Sequence, residues 1–416
     1  MHVDIVTIGD ELLIGQVVDT NSAWMSQELN KHGFTVHRIT SISDTHQEIL
    51  DALNETTKRS RIVLLTGGLG PTRDDITKAA LCEFFQTKLI LNEQILEDVK
   101  YFLRGRVTHL NHLNHDQALV PESAVVIRNG AGTAPILWFD YHGAVVVSMP
   151  GVPSEMKQTM VEEIIPRLSK QFTTGIVMHR TVHIHSLPEA VLAEMLSSWE
   201  DSLPENIKIA YLPSPGKIRL RLSSQGNDAN SLKQAIDSAI KGLQPIVGKY
   251  IYAYDDLLPA AGLINILKQK NKTIGFAESC SGGLMAHLLT SIPGSSEVFK
   301  GSIVAYSNEV KLSVLEVSER DLHQFGAVSQ QIVEQMAKGV LKRLNTDFAI
   351  ATSGVAGPGG GTPQKPVGTI WIAWASKDKI VSELFSFSGD SRERNILRTA
   401  ETGIIRALQM MDREEW

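Results

Sequence analysis

Short apolar runs that stop at glycine, each followed by a stretch of helical periodicity, recur through the first and last parts of this 416-residue chain. No other feature limits the fold so strongly. Strands joined through helices pair by crossover connections, which set parallel strands side by side and put helices on the sheet faces. Residues 3–8 stop at Gly9-Asp10, residues 61–65 lead into Thr66-Gly-Gly68, and residues 145–148 lead into Met149-Pro-Gly151. Between them lie a polar stretch at 19–21 suited to capping a helix that stops at Gly33, a strand at 34–39, and a helix carrying Ile49, Leu50 and Leu53. Pro153 fits the first turn of a further helix, and Pro166 is expected to kink or end it. A parallel sheet with helices on both faces is therefore predicted for the first block.

From about residue 176 to 255 the rhythm changes. Residues 182–186 alternate like a half-exposed strand, and Val191, Leu192, Met195, Leu196 and Trp199 have helical spacing. Residues 207–212 and 218–222 form a hairpin across Pro213-Ser-Pro-Gly216, Leu232, Ile236, Ile240 and Leu243 share a helix face, and residues 250–254 make a last strand. The order is βαββαβ, the split β-α-β pattern. The third block returns to α/β alternation. Its predicted strands are 273–277, 302–306, 348–353 and 369–375, with one long helix after Ser329, a plausible N-cap, and a final helix carrying Ile396 to Leu408.

The length exceeds one ordinary core, since domains usually hold about 100–200 residues, and 43% hydrophobic residues can fill two or three. With 40 Lys+Arg against 46 Asp+Glu, the charge argues against bulk coating of nucleic acid, which needs a basic surface, and leaves room only for a local basic groove. Two cysteines exclude a disulfide framework and a Cys-rich zinc site. No signal-peptide pattern or membrane-length apolar run is present, so a cytoplasmic location without membrane partners is expected.

In an open α/β sheet, ligands bind at the carboxyl ends of strands, where glycines admit an anion close to backbone N–H groups. The segments Gly9-Asp-Glu-Leu-Leu-Ile-Gly15, Thr66-Gly-Gly-Leu-Gly-Pro-Thr-Arg-Asp-Asp75 and Met149-Pro-Gly-Val-Pro-Ser-Glu155 stand there, so a phosphate-bearing ligand is expected. Its candidate contacts are Thr66, Gly67, Gly68, Gly70 and Gly151. Glu11, Asp74 and Asp75 are candidate catalytic carboxylates, with Asp74 and Asp75 as ligands for a hard cation that bridges to phosphate. The alternative is that the two aspartates only favour the start of the next helix. His109, His112 and His115 read as polar surface, and Cys82 as core.

Those three segments, together with Asn129-Gly-Ala-Gly-Thr-Ala-Pro135, resemble the molybdopterin-binding fold, and most closely the amino-terminal domain of the CinA (competence/damage-inducible protein A) family. The resemblance implies a three-layer α/β domain over residues 1–172. It also implies metal-dependent cleavage of the ADP-ribose pyrophosphate to AMP and ribose 5-phosphate, with Mg, Mn or Co as the divalent metal and potassium as a further ion.

In the third block, Gly275-Phe-Ala-Glu-Ser-Cys-Ser-Gly-Gly283 runs from a strand into a helix, where a hydroxyl beside backbone amides suits a nucleophile. Tyr306 and Lys311 follow one strand later. Ser with Lys is a known alternative to Ser-His-Asp, provided burial lets the lysine shed its proton. Ser353-Gly-Val-Ala-Gly-Pro-Gly-Gly-Gly361 suggests backbone wrapped around a phosphate or ribose. Arg394 and Arg398, four apart on the last helix, could face one anion. Together these resemble the carboxy-terminal domain of the CinA family, the nicotinamide-mononucleotide (NMN) deamidases, over residues 257–416.

The resemblance implies a Ser279, Tyr306, Lys311 catalytic set without a cofactor. Its implied substrate contacts are Ser281, Gly282, Gly283, Asn308, Ser353, Gly354, Gly357, Gly359, Gly360 and Arg394. Arg392 competes with Arg394 for the phosphate role, because the family's Gly-Asp-Arg is here Gly389-Asp-Ser-Arg392. Cys280 is the rival nucleophile. Backbone N–H groups of 281–283 are expected to hold the oxyanion, with Lys311 acting directly or through Tyr306.

Residues 173–256 resemble the family's K-homology-like linker, a small α+β domain. It lacks the Gly-x-x-Gly loop that clamps nucleic acid, so a spacer or dimer-organising role is expected, without nucleic acid. The function implied is a homodimeric hydrolase acting on NMN and ADP-ribose. The competing classes are a pterin-processing transferase of the molybdenum-cofactor type and a competence-associated binding protein with a degenerate first site.

Overall fold

The computed structural model describes residues 1–416 apart from 73, 74, 105–110, 388 and 390. Two compact bodies result: Met1–Met178 with Ser224–Leu232, and His179–Ser223 with Lys233–Trp416. The middle block, expected as a domain of its own, falls mostly into the second body.

The first body is built on a six-stranded sheet in the order Thr35–Ile42, His2–Ile8, Ile62–Thr66, Ala144–Met149, Ile136–Tyr141, Val125–Ile127. The first four strands are parallel. The last two are antiparallel additions, so the sheet is mixed rather than wholly parallel. Two segments too short or too locally paired to announce themselves by helical alternation made the difference. Met25 and Leu29 from helix Thr20–Lys31 cover one face, together with Met156, Met160 and Leu168. Ile49, Leu53, Ala80 and Leu81 cover the other. That is the three-layer arrangement expected.

Asp19 caps helix Thr20–Lys31 by accepting from the Ser22 N–H. Pro166 neither ends nor breaks its helix. The chain runs as α-helix over Pro153–Thr159, widens to one π turn over Met160–Ile164, and resumes as Ile165–Gln171. The wider turn accommodates a residue that has no N–H and whose ring would crowd the preceding turn.

The middle block has the predicted βαββαβ order, with sheet neighbours Ile207–Ser214, Lys217–Gly226, Ile176–His185, Ile251–Tyr254. The carboxy-terminal sheet runs Phe299–Val304, Ile274–Glu278, Phe348–Gly354, Thr369–Ser376, Ile380–Ser386. Its first three strands are parallel and its last two antiparallel. Helix Gln330–Leu344 buries Ile332, Val333, Met336 and Val340 on one face. Pro259–Gln269, Leu284–Thr290 and Arg392–Asp412 cover the other. Ser329 is the N-cap residue, but its hydroxyl donates to the Gly326 carbonyl instead of accepting from the helix.

Candidate active site

Parallel neighbours end on the same side of a sheet. In the carboxy-terminal domain this brings three loops together: the turn after Ile274–Glu278, the segment after Phe299–Val304, and the glycine-rich loop after Phe348–Gly354. Ser279 is the first residue past the central strand, with its N–H bonded to the Thr352 carbonyl. Gly282 and Gly283 then turn the chain at φ of 63° and 99°, which residues with a Cβ adopt only under strain.

Lys311 comes from helix Asn308–Ser313 and is 1% exposed. Its Nζ donates to Ser279 Oγ at 3.3 Å, to the Ala305 carbonyl at 2.7 Å and to the Tyr306 carbonyl at 3.3 Å. Among the described residues no carboxylate pairs with it. Burial pushes its ammonium below the usual lysine range, as an unpaired charge removed from water requires. The pairing of Ser279 with Lys311 therefore forms as the sequence suggests.

Among the described residues the Tyr306 hydroxyl is bonded to neither of them. The residue is 61% exposed, and its hydroxyl accepts from Arg392 Nη2 at 2.7 Å. Arg392 also donates to the Gly357 carbonyl at 2.8 Å. The guanidinium thus ties Tyr306 to the glycine-rich loop at the mouth of the site. Arg394 is exposed and contributes its backbone N–H to the Ser391 cap. Of the two arginines left open by the sequence, Arg392 is the one placed there.

The expected oxyanion donors are mostly spent. The Gly282 N–H bonds the Ser279 carbonyl, and the Gly283 N–H bonds Glu278 Oε2. Among the described residues nothing accepts from the Ser281 N–H, so that group is left over. The Ser281 hydroxyl points inward to Thr352 Oγ1 at 2.8 Å, and the Ser353 hydroxyl donates to the Ala327 carbonyl. Both hydroxyls organise the turn rather than face the opening. Asn308, Gly359 and Gly360 are exposed, while Gly354 is half-buried and Gly357 buried. Cys280 is buried in the core, and burial pushes its thiol up to about 12. A buried thiol held above the usual cysteine range is a weak nucleophile at neutral pH.

Glu278 is a residue the sequence reading passed over. It is 0% exposed, and its carboxylate accepts from the N–H groups of Gly283, Met285 and Ala286 and from the Ser302 hydroxyl, all at 2.9–3.0 Å. It caps helix Leu284–Thr290 from inside and holds the turn that carries Ser279. The signal was its place as the only charge at the end of an apolar strand.

In the first body, Gly9, Gly67 and Gly151 follow parallel strands and converge in the same way. Gly67, at φ 120°, lies so close to the Ile8 carbonyl that a Cβ would sit 2.2 Å from it. Asn21, also missed, donates to the Gly151 carbonyl at 2.7 Å and to Thr66 Oγ1 at 3.4 Å. Its buried Oδ1 has no partner among the described residues. Asn129 donates to Glu155 at 2.6 Å, joining two of the quoted motifs, and burial raises the Glu155 carboxyl.

Asp75 folds back on its own loop. Oδ1 accepts from the Gly70 N–H at 2.8 Å, and Oδ2 accepts from the Thr72 N–H at 2.9 Å and from the Thr72 hydroxyl. Glu11 is exposed and lies over Gly9. Asp74 and His109 lie outside the described residues. Among the described residues no three His, Cys, Asp or Glu side chains gather as a metal site. His112 is bonded instead to Asp116. Of the two proposed cation ligands, Asp75 is the one described, and both its oxygens accept hydrogen bonds from its own loop.

A mixed α/β sheet with converging glycine turns and a second α/β sheet that sets a buried lysine beside a serine, with a split β-α-β domain between them in sequence, define the class of protein. Family models match all three parts: the probable molybdopterin binding domain over residues 4–170, the damage-inducible protein CinA KH domain over 179–253, and the CinA C-terminal domain over 259–411. A CinA-like protein of Cytophaga hutchinsonii is 45% identical over 402 residues, 96% of each chain. One of Flavobacterium psychrophilum is 44% identical over 417 residues, covering 100% of this chain and 98% of that one. The crystal structure of the competence/damage inducible protein CihA from Agrobacterium tumefaciens is 36% identical, covers 38% of this chain and 94% of its own, and has a TM-score of 0.36. This chain belongs to the CinA family. Among the described residues no helix is long and apolar enough to cross a membrane.

Proposed function

We propose that the carboxy-terminal domain hydrolyses the carboxamide of a pyridine mononucleotide, NMN, by acyl transfer. The observation that carries this reading is the buried, carboxylate-free Lys311 Nζ at 3.3 Å from Ser279 Oγ. Neutral Lys311 takes the Ser279 proton as Oγ attacks the carboxamide carbon. The Ser281 N–H, left over by the turn, supports the oxyanion. The lysine returns the proton to the departing nitrogen, which leaves as ammonia, and water then cleaves the acyl-enzyme to nicotinic acid mononucleotide. Arg392, at the rim with Tyr306, suits the 5′-phosphate.

The amino-terminal domain, in this reading, cleaves the pyrophosphate of ADP-ribose. The convergence of Gly9, Gly67 and Gly151 and the unpartnered Asn21 Oδ1 support a nucleotide there. A divalent cation brought with the substrate and touching Asp75 would supply charge neutralisation at the phosphates. The protein's own part is to cradle and orient the nucleotide.

The test is ammonia release from NMN by the full chain. Ser279→Ala should lower it by about 10³-fold or more, and Cys280→Ala should leave most of it. The opposite ranking would transfer the nucleophile to the cysteine.

A further inference from the structure

The last helix, Arg392–Asp412, carries a cation that deamidation does not use. Arg398 lies six residues past Arg392, about 9 Å along the axis. Its guanidinium stacks 4.2 Å from the centre of the Phe387 ring. It sits under the hairpin turn of the middle domain, where a Cβ on Gly216 would be 3.7 Å from its Nε. Among the described residues no carboxylate lies within ion-pair distance of it.

Arg398 faces a cavity of about 250 Å³ between that hairpin and the helix, walled also by His185, Lys217, Phe387, Glu401 and Thr402. A neighbouring cavity of about 300 Å³ shares His185 and Thr402 and adds Arg406 and Arg413. Neither is lined by Ser279, Tyr306 or Lys311. Lys217 pairs with Glu401 at 2.7 Å and Arg406 with Glu383 at 2.9 Å, so these charges cancel. Burial brings the His185 imidazole down to about 4, which leaves it a neutral wall at physiological pH. Among the described residues, the side-chain charge beside the first cavity that no ion pair offsets is Arg398.

An unpaired guanidinium that is partly removed from water is destabilising. Burial and the nearby Arg394 charge hold its pKa below the usual arginine range. A guanidinium can stack on a ring and still keep its N–H donors free of a carboxylate, as Arg398 does among the described residues. One left facing a cavity suits an anion from solution, and the planar fork of a guanidinium matches phosphate oxygens two at a time. The volume lies just below the ~300–1,000 Å³ of drug-sized sites, which limits the ligand to a small ester.

We propose that the seam between the middle and carboxy-terminal domains is a second binding site, for a small phosphate-bearing anion, with Arg398 as its anchoring cation and Lys217 at its wall. The same helix carries Arg392, which holds Tyr306 and the Gly357 carbonyl. An anion on Arg398 is therefore placed to bias the catalytic mouth.

The experiment is calorimetric titration of the full chain with inorganic phosphate and with ribose 5-phosphate, at constant ionic strength. No turnover is needed, so its result is independent of the deamidase reading. Arg398→Gln should weaken phosphate binding at least tenfold, while Arg392→Gln should retain a phosphate site. Ser386→Leu, which fills the cavity from its exposed wall without touching a charge, should weaken binding as well. The proposal is overturned if Arg398→Gln and Ser386→Leu bind phosphate as the unaltered chain does. It is equally overturned if Arg392→Gln alone removes all binding, or if chloride produces the same heat.

Discussion

The two outer domains both gather loops at the carboxyl ends of three adjacent parallel strands, with glycine turns on all three in the first and on two in the second, yet they use acidic residues in opposite ways. In the carboxy-terminal domain Glu278 is wholly buried and spends its oxygens inside the fold, which leaves a lysine unpaired over a serine. In the amino-terminal domain the half-buried Asp75 ties its own loop together, accepting from the Gly70 and Thr72 N–H groups and the Thr72 hydroxyl. The same sheet geometry therefore serves two strategies. In the function proposed above, one site carries its own reactive atom, and the other offers a cradle to a ligand that brings its reactive phosphorus and the accompanying cation from outside.

The largest expected effect separates these strategies at Lys311. Lys311→Met should lower NMN deamidation by about 10²–10⁴-fold, the usual contribution of a positioned base. It should also leave the melting temperature unchanged or raised, because it removes a buried cation that has no carboxylate partner. A group serving structure would show the reverse: lost stability with retained turnover. The pH dependence follows from the direction of the shift. The lysine acts when neutral, so kcat/KM should rise with pH up to its lowered pKa and level off above it. A flat profile across neutral and alkaline pH would remove Lys311 from the role of base.

Much of this contrast was legible in the sequence because it rests on strand ends. An apolar run followed by glycines fixes where a loop must open, so Gly67, Gly151, Ser279 and Lys311 could be placed without coordinates. The split β-α-β order was equally plain from its change of period. What escaped were features set by partners distant in sequence. The antiparallel strands Ile136–Tyr141 and Ile380–Ser386 pair through local hairpins that interrupt the helix-strand rhythm. The direction of the Tyr306 hydroxyl depends on Arg392, 86 residues away. Glu278 and Asn21 looked like ordinary polar residues beside motifs, because what they bond is backbone, and backbone donors carry no letter in a sequence.

A second test addresses that hidden carboxylate. Glu278→Gln preserves the shape but sets an NH₂ against N–H donors that now meet an oxygen. Leaving buried donors unsatisfied costs about 1–3 kcal/mol each, more where the lost partner is charged. A lower denaturant midpoint with an unchanged m-value, accompanied by reduced deamidation, is expected. An unchanged midpoint would mean that the turn holding Ser279 does not depend on Glu278, and the contrast between the two acidic residues would weaken.

The smallest effect sharpens the other half of the comparison. If Asp75 mainly organises its loop, Asp75→Asn, which keeps one acceptor oxygen, should loosen it by about 1.5 kcal/mol, the low end of the range for a hydrogen bond to a charged group. Hydrogen exchange at the Gly70 and Thr72 amides should then accelerate with no metal present, since those N–H groups bond the carboxylate directly. If Asp75 serves chiefly as a cation ligand, the amides should exchange at the original rate and only metal-dependent cleavage should fall. The first result would leave cation capture to the substrate phosphates and any further carboxylate. The second would give the amino-terminal domain a metal ligand of its own and bring the two strategies closer together.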